Sequence, residues 1–315
     1  MMHRPFVAVG LAVLLAALAA LPWYVPYFYI FIATNILIMG LFAASFNLVF
    51  GYAGMLSFGH AAFFGMGGYT AALLMLHFHT PFAFVLIAAM ATSGLLALII
   101  GYLSVRLEEV YFAMLTLAFG MMVFAVAHQW RSFTNGSDGI AGFAVTDLLP
   151  GIDWALGNPE TYYFMTLALV LAAAAVLYLV TRSPFGLLLR AIRQNPERVS
   201  FCGVNVLRHR LIAFVISGVF SGLAGALFIP FNRIASPDML HWTQSAEAVL
   251  MSILGGTGYF LGPFLGAAVF ILLKSWITSY TDYWMFYLGI VLTIMVIFLR
   301  SGLLGTILDK LGGQE

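Results

Sequence analysis

The chain has 315 residues, 63% hydrophobic and 8% charged, with a formal net charge of +1 and a mean hydropathy of +1.03. A soluble domain carries about 25% charged residues, so this chain has too few to cover a water-facing surface, and lipid must be its solvent. Its basic residues form one short cluster with no stripe or reader motif, which excludes nucleic acid as a partner.

At the N-terminus, His3 and Arg4 precede an apolar run from Phe6 to Leu21, and Ala17-Leu-Ala19 resembles a signal-peptide cleavage site. The run is long and ends in Pro22-Trp23-Tyr24, an aromatic interface edge, so it reads as an uncleaved first span. A crossing helix needs about 20 apolar residues. Candidate spans are 6–25, 28–50, 58–76, 82–104, 110–130, 161–181, 210–231, 240–257, 262–279 and 284–300. The expected fold is an all-α polytopic membrane protein of about ten transmembrane helices, forming a single domain over 1–315.

The positive-inside rule orients it. Arg4 puts the N-terminus in the cytoplasm, Arg106 follows inside, and the acidic 131–160 loop (Asp138, Asp147, Asp153 and Glu160 against Arg131) lies outside. The strongest vote comes from 182–210, which holds Arg182, Arg190, Arg193, Arg198, Arg208 and Arg210 against the single acid Glu197. A double crossing by 240–279 returns Arg300 and Lys310 to the cytoplasm, whereas a single crossing leaves them outside. Arg131 and Arg233 count against the scheme. Ten spans divide into halves 1–160 and 161–315, and an odd number per half makes them inverted if they are repeats. Gly65-Met-Gly67-Gly68-Tyr69 echoes Gly255-Gly256-Thr257-Gly258-Tyr259, each expected at a glycine-broken apolar segment.

Residues 47–69 are glycine-rich. Glycine weakens a helix by about 1 kcal/mol relative to alanine, but permits close helix approach or broken backbone lining a cavity. Candidate pathway residues are Asn47, Ser57, Gly59, His60, Gly65 and Gly67, with Glu247, Gly255, Gly256 and Gly258 from the second half. Intramembrane ionisable groups face the bundle interior. Asn47 and Ser57 are the expected partners of His60, and Glu247 falls near the outer end of its span.

The cytoplasmic loop 182–209 has internal structure. Ser183-Pro184 signals a helix start, and a helix through about Gln194 carries Arg190 and Arg193 on one face. Asn195-Pro196 repeats the signal for a helix to Cys202, with Glu197 in its favourable first turn and Gly203 as its left-handed stop. Seven residues do not hold a helix in water, so packing or a partner must. Motifs for other chemistry are missing: there is no GxxxxGK[ST] phosphate loop, HExxH or Gly-x-Ser-x-Gly. His77 and His79 are a weak metal pair, and Cys202 is the single cysteine.

Three stretches resemble a known family. They are Gly51-Tyr-Ala-Gly54-Met-Leu-Ser57-Phe-Gly59-His60 through Tyr69; Arg190-Ala-Ile-Arg193-Gln-Asn195-Pro-Glu197 through Gly203-Val-Asn205 and Ser221-Gly222-Leu-Ala-Gly225; and Leu254-Gly255-Gly256-Thr-Gly258 through Gly262-Pro263 and Gly266. Together they are similar to the permease subunits of ABC importers for branched-chain amino acids, the LivH/LivM type, with the long N-terminal part closer to LivM. The resemblance implies a bacterial inner-membrane permease subunit without catalytic activity or a cofactor of its own. It implies a second, LivH-like permease, two LivG/LivF-like ATPases carrying ATP and magnesium, and a periplasmic substrate-binding protein. The family's coupling helix falls on Asn195 to Gly203, with Glu197 at its acidic position and Val199-Ser200 departing from the usual small pair. Alternating access driven by ATPases docked on that helix would move small apolar amino acids inward. Relatives of this shape also serve urea and amides. An ion-coupled secondary transporter or an intramembrane enzyme is the rival; the first would rely on His60 and Glu247, and the second lacks paired catalytic residues.

Overall fold

A computed structural model describes residues 18, 20–78, 80–143, 145, 148, 157–281, 283–298 and 301–311. The reading of the first span and its cleavage site, together with Arg4, His79, Asp147, Asp153, Arg300 and Lys310, falls on positions or side chains outside that description.

The helices are α1 (Tyr27–Asn47), continued by a π-helical segment (Leu48–Tyr52), then α2 (His60–Phe78), α3 (Phe82–Ser104), α4 (Glu109–Gln129) and α5 (Pro159–Arg182). Two short helices, α6 (Pro184–Gln194) and α7 (Pro196–Phe201), precede α8 (Val206–Asn232), α9 (Trp242–Gly255), α10 (Gly262–Thr278), α11 (Trp284–Phe298) and α12 (Gly302–Leu311). Six helical stretches among the described residues are long and apolar enough to cross a membrane: α1 with its π segment, α2, α3, α4, α5 and α8. The protein is a polytopic, all-helical membrane protein apart from a two-residue ladder, β1 (Ile140–Ala141) antiparallel to β2 (Ile234–Ala235).

The expected spans match these helices to within a few residues. The largest shift is at α8, which begins at Val206 because Asn205 caps it, accepting from the Arg208 backbone N–H at 3.0 Å. Helix α9 has 14 residues, about 21 Å at 1.5 Å per residue, which is shorter than a bilayer core.

Burial separates the centre from the rim. In α8 72% of the most apolar window is buried, against 22% in α4. Helices α1 and α8 cross at the centre, where Ser45 Oγ lies 2.8 Å from Ser221 Oγ and Ser217 Oγ donates to the Ser45 carbonyl at 2.6 Å. Such interhelical bonds replace the hydrophobic drive that lipid cannot supply. Around this pair the packing repeats. Helix α8 packs on α2 and α3, and α1 packs on α9 and α10; α2 pairs with α3 as α9 pairs with α10.

Small residues set the approach distances. A Cβ at Gly67 would lie 2.1 Å from the Gly222 carbonyl oxygen, and one at Gly225 would lie 1.8 Å from that of Phe64. One sequence expectation is corrected here. Gly65–Tyr69 lies inside the unbroken helix α2, because its glycines are buried against α8 and Leu240, and that packing offsets their poor helix propensity. The real interruption in this half is 48–59, between α1 and α2.

On one side of the bundle β1 pairs with β2, the Ala83 N–H donates to the Leu148 carbonyl at 3.2 Å, and Arg233 Nη2 reaches the Gly157 carbonyl at 3.5 Å. Arg233, at φ 59° just past α8, is therefore held by a loop carbonyl.

Candidate functional site

The opposite end carries α6 and α7. Ser183 accepts from the Gly186 N–H at 3.4 Å and Asn195 from the Arg198 N–H at 2.9 Å, each followed by Pro at the first helical position. Proline there loses no hydrogen bond. Gly203 sits at φ 79°, the left-handed stop. Helix α7 ends at Phe201, one residue before the expected Cys202, where the chain turns out of helical geometry.

Helix α6 is amphipathic and buries Leu189 and Ile192. Helix α7 buries no residue at all, and Phe201 at its tip is 89% exposed. Six residues this exposed do not remain helical through their own bonds. The caps hold its ends, and Pro196 and Val199 are half-buried while its other residues are exposed.

The base of this helix pair is tied to the interruption. The Arg193 Nη1 donates to the Gly51 carbonyl, and the Arg190 guanidinium lies 4.9 Å from the centroid of the Tyr52 ring. Gly54, at φ 75°, lets the Arg193 stem approach; a Cβ there would sit 2.8 Å from Arg193 Cγ. Gly51 lies in the last turn of this helical segment, which ends at Ala53, so its carbonyl has no partner further along the helix and is available to accept.

The interruption in turn touches the second half. Asn47 Nδ2 donates to the Thr257 carbonyl at 3.3 Å, and a Cβ at Gly51 would meet both that oxygen (2.5 Å) and Asn47 Oδ1 (2.2 Å). Thr257 lies in the turn between α9 and α10, where Gly256 is at φ 104° and packs against Gly302 at the start of α12. The structure thus brings together two bonds, Arg193 to Gly51 and Asn47 to Thr257, through the close approach of Gly51 to Asn47 and Thr257. Gly255 faces the Gly262 carbonyl, and Gly258 has open space around it.

His60 begins α2 and is fully buried. Its Nε2 lies 2.8 Å from Ser217 Oγ. Ser217 spends its own proton on the Ser45 carbonyl, so the imidazole Nε2–H is the donor and Nδ1 is the bare nitrogen, which has no partner. The rings of Phe46, Phe63 and Phe214 surround it edge-on at 5.0–5.6 Å. The expected partners are corrected: Asn47 is committed to Thr257, and Ser57 Oγ accepts from the Gly59 N–H at 3.3 Å. Gly59 packs on the Thr116 carbonyl of α4. Two further bonds bring in α9, as Ser245 Oγ accepts from the Ala61 N–H at 2.7 Å and Ser252 Oγ donates to the Ala43 carbonyl at 3.2 Å.

Glu247 stands apart from these residues. It pairs with Lys274 at 2.7 Å on the wall of a pocket of about 260 Å³ between α1, α9 and α10. Sequence reasoning missed Lys274 as a site residue, although four apolar turns around a lone lysine were a visible signal. Among the described residues no three His, Cys, Asp or Glu side chains converge as metal ligands, and His77 Nδ1 lies 3.2 Å from the Leu73 carbonyl.

Comparison with known proteins places these features. A family described as branched-chain amino acid transport system, permease component, matches residues 28–299. The chain is 28% identical to the high-affinity branched-chain amino acid transport system permease protein LivM of Salmonella typhimurium, covering 93% of this chain and 74% of that protein. It is 24% identical to the LivH permease protein of Escherichia coli over 84% of this chain and 90% of that protein. A shorter stretch, 35% of the chain, is 34% identical to the guanosine ABC transporter permease protein NupQ of Bacillus subtilis, covering 34% of that protein. No solved structure matches.

Proposed function

This chain belongs to the family of permease components of branched-chain amino acid ABC transport systems, and from that premise we propose how it crosses the membrane and how ATP drives it. It is a multi-pass membrane subunit, not an enzyme. In the proposed topology it crosses the inner membrane ten times, with both termini cytoplasmic and two inverted five-span halves, 1–160 and 161–315. The repeated packing supports the halves: α8 on α2 and α3 mirrors α1 on α9 and α10. The contacts among 51, 193, 257 and 302 at one end, and the pairs 140–235 and 157–233 at the other, fit alternating crossings.

The observation that carries the mechanism is an exposed, doubly capped helix whose base is bonded to the interruption between α1 and α2. In this reading α7 docks in a cleft of a partner ATPase. Closure of the ATPase pair around ATP and magnesium displaces α6 and α7 as one body. Arg193 passes the movement to Gly51, and Asn47 passes it to the α9–α10 turn at Thr257. Rigid elements joined at glycine-rich breaks suit alternating access. A second, LivH-like permease would complete the pathway, and a periplasmic binding protein would deliver a branched-chain amino acid. His60, enclosed by aromatic rings and bonded to Ser217, serves as a structural member beside that pathway. No observation favours ion coupling.

Two outcomes test this. Glu197→Arg reverses the charge in the first turn of α7, and Gly203→Pro forces φ from 79° to about −65°. Each is expected to abolish co-purification of the ATPases and leucine uptake while the protein still inserts; normal association after both removes the docking role. Separately, Cys202 is exposed. An impermeant maleimide is expected to label it in inside-out vesicles and not in intact cells, and the reverse pattern overturns the topology.

A further inference from the structure

We propose that the pocket holding the Glu247–Lys274 pair is a binding station for the zwitterionic head group of the transported amino acid; this rests on the functional reading above. The pocket lies between α1, α9 and α10, at the end of the bundle away from α7. Four polar groups converge there. Lys274 Nζ and Glu247 Oε1 are 2.7 Å apart, with side chains 36% and 19% exposed. Asn35 Oδ1 is buried without a hydrogen-bond partner, and the Gln244 amide nitrogen finds only the Met39 thioether, at 3.8 Å.

These four groups divide by sign and by hydrogen-bond role. Glu247 and Asn35 offer oxygens that accept, and Lys274 and Gln244 offer nitrogens that donate. An α-ammonium carries three donors and an α-carboxylate only acceptors, so a zwitterion answers both pairs at once. A purely structural ion pair does not need a buried amide oxygen left without a partner in the same pocket, as Asn35 Oδ1 is, because buried polar groups are ordinarily satisfied. Apart from Ser275 the remaining walls are apolar, with Phe31 and Phe270 among them, and suit a branched aliphatic side chain. The volume, about 260 Å³, falls just under the about 300–1,000 Å³ usual for drug-sized ligands, which suits a single small amino acid.

The test uses the full chain co-expressed with its partner subunits in a host without leucine uptake of its own, with radiolabelled leucine as the probe. Lys274→Gln and Glu247→Gln are each expected to cut the maximal uptake rate about tenfold or more, by stranding one charge. The exchanged pair Glu247→Lys with Lys274→Glu is the decisive variant. It restores an ion pair, and with it the thermal stability of the solubilised assembly. It reverses the pair while Asn35 Oδ1 and the Gln244 amide stay in place, so a leucine bound in the original orientation is mismatched, and uptake is expected to stay low. Uptake restored to wild type by the exchange, or unchanged in the single variants, overturns the station. If the wild-type assembly takes up no leucine, the functional reading fails and takes the station with it.

Discussion

Gly225→Ala is expected to remove most of the folded protein from the membrane, while Gly258→Ala leaves yield and thermal stability unchanged. The added methyl at 225 would sit 1.8 Å from the Phe64 carbonyl oxygen and 2.7 Å from its carbon. Both are helix backbone, so no rotamer change relieves the overlap, and α2 must move away from α8. Gly67 and Gly222 meet along the same line, so that separation opens the most buried crossing in the protein. Overpacking costs about 1–3 kcal/mol where side chains yield, and here the cost should reach or exceed the top of that range. At Gly258 nothing lies within 4 Å. Gly68→Ala should fall between the two, because its nearest neighbours, Met239 Cε at 2.9 Å and Ile229 Cδ1 at 3.2 Å, are ends of side chains that can swing away. Thermal unfolding of the detergent-solubilised protein ranks the three; equal stabilities for Gly225→Ala and Gly258→Ala would contradict the packing described.

Arg193→Met is expected to uncouple the transporter: ATPase subunits still co-purify, but leucine uptake falls about ten- to hundredfold. The exposed helix α7 and its caps are untouched by this change. What disappears is the charge-assisted bond from the guanidinium to the Gly51 carbonyl, leaving the Arg190 guanidinium over the Tyr52 ring as the remaining charged contact from α6 to the interruption. Bonds to charged groups contribute about 1.5–3 kcal/mol, and about 1.4 kcal/mol corresponds to a factor of ten. Arg193→Lys should recover part of the rate, since an ammonium can reach one carbonyl without the planar fork. Uptake equal to wild type in Arg193→Met, with normal ATP hydrolysis, would show that displacement of α7 reaches the bundle by another route.

Local signals in the chain were reliable where the physics is local. Ser183-Pro184 and Asn195-Pro196 foretold two helix starts, because cap and proline act within three residues of each other. Gly203 was legible as a left-handed stop for the same reason. The partner of His60 was not legible. Ser217 lies 157 positions away, and nothing near His60 distinguishes that serine from Ser57. The glycine string 65–69 was misread as a break, since glycine content alone does not tell a helix that another helix crosses closely from one that stops. The interruption at 48–59 carries Gly51, Gly54 and Gly59, within the glycine-rich stretch 47–69, but its contacts to Arg193 and Thr257 come from distant parts of the chain.

Composition and the spacing of apolar runs determined by themselves that this chain lives in lipid, nearly where each helix begins and ends, and which loop is basic. Those properties follow from desolvating each segment's own backbone and charges, a cost set residue by residue. The tertiary structure alone decided which glycines serve packing, where Arg193 is anchored, and that Glu247 meets Lys274 across 27 residues. Those outcomes depend on distances between helices, and a one-dimensional pattern carries no such distances.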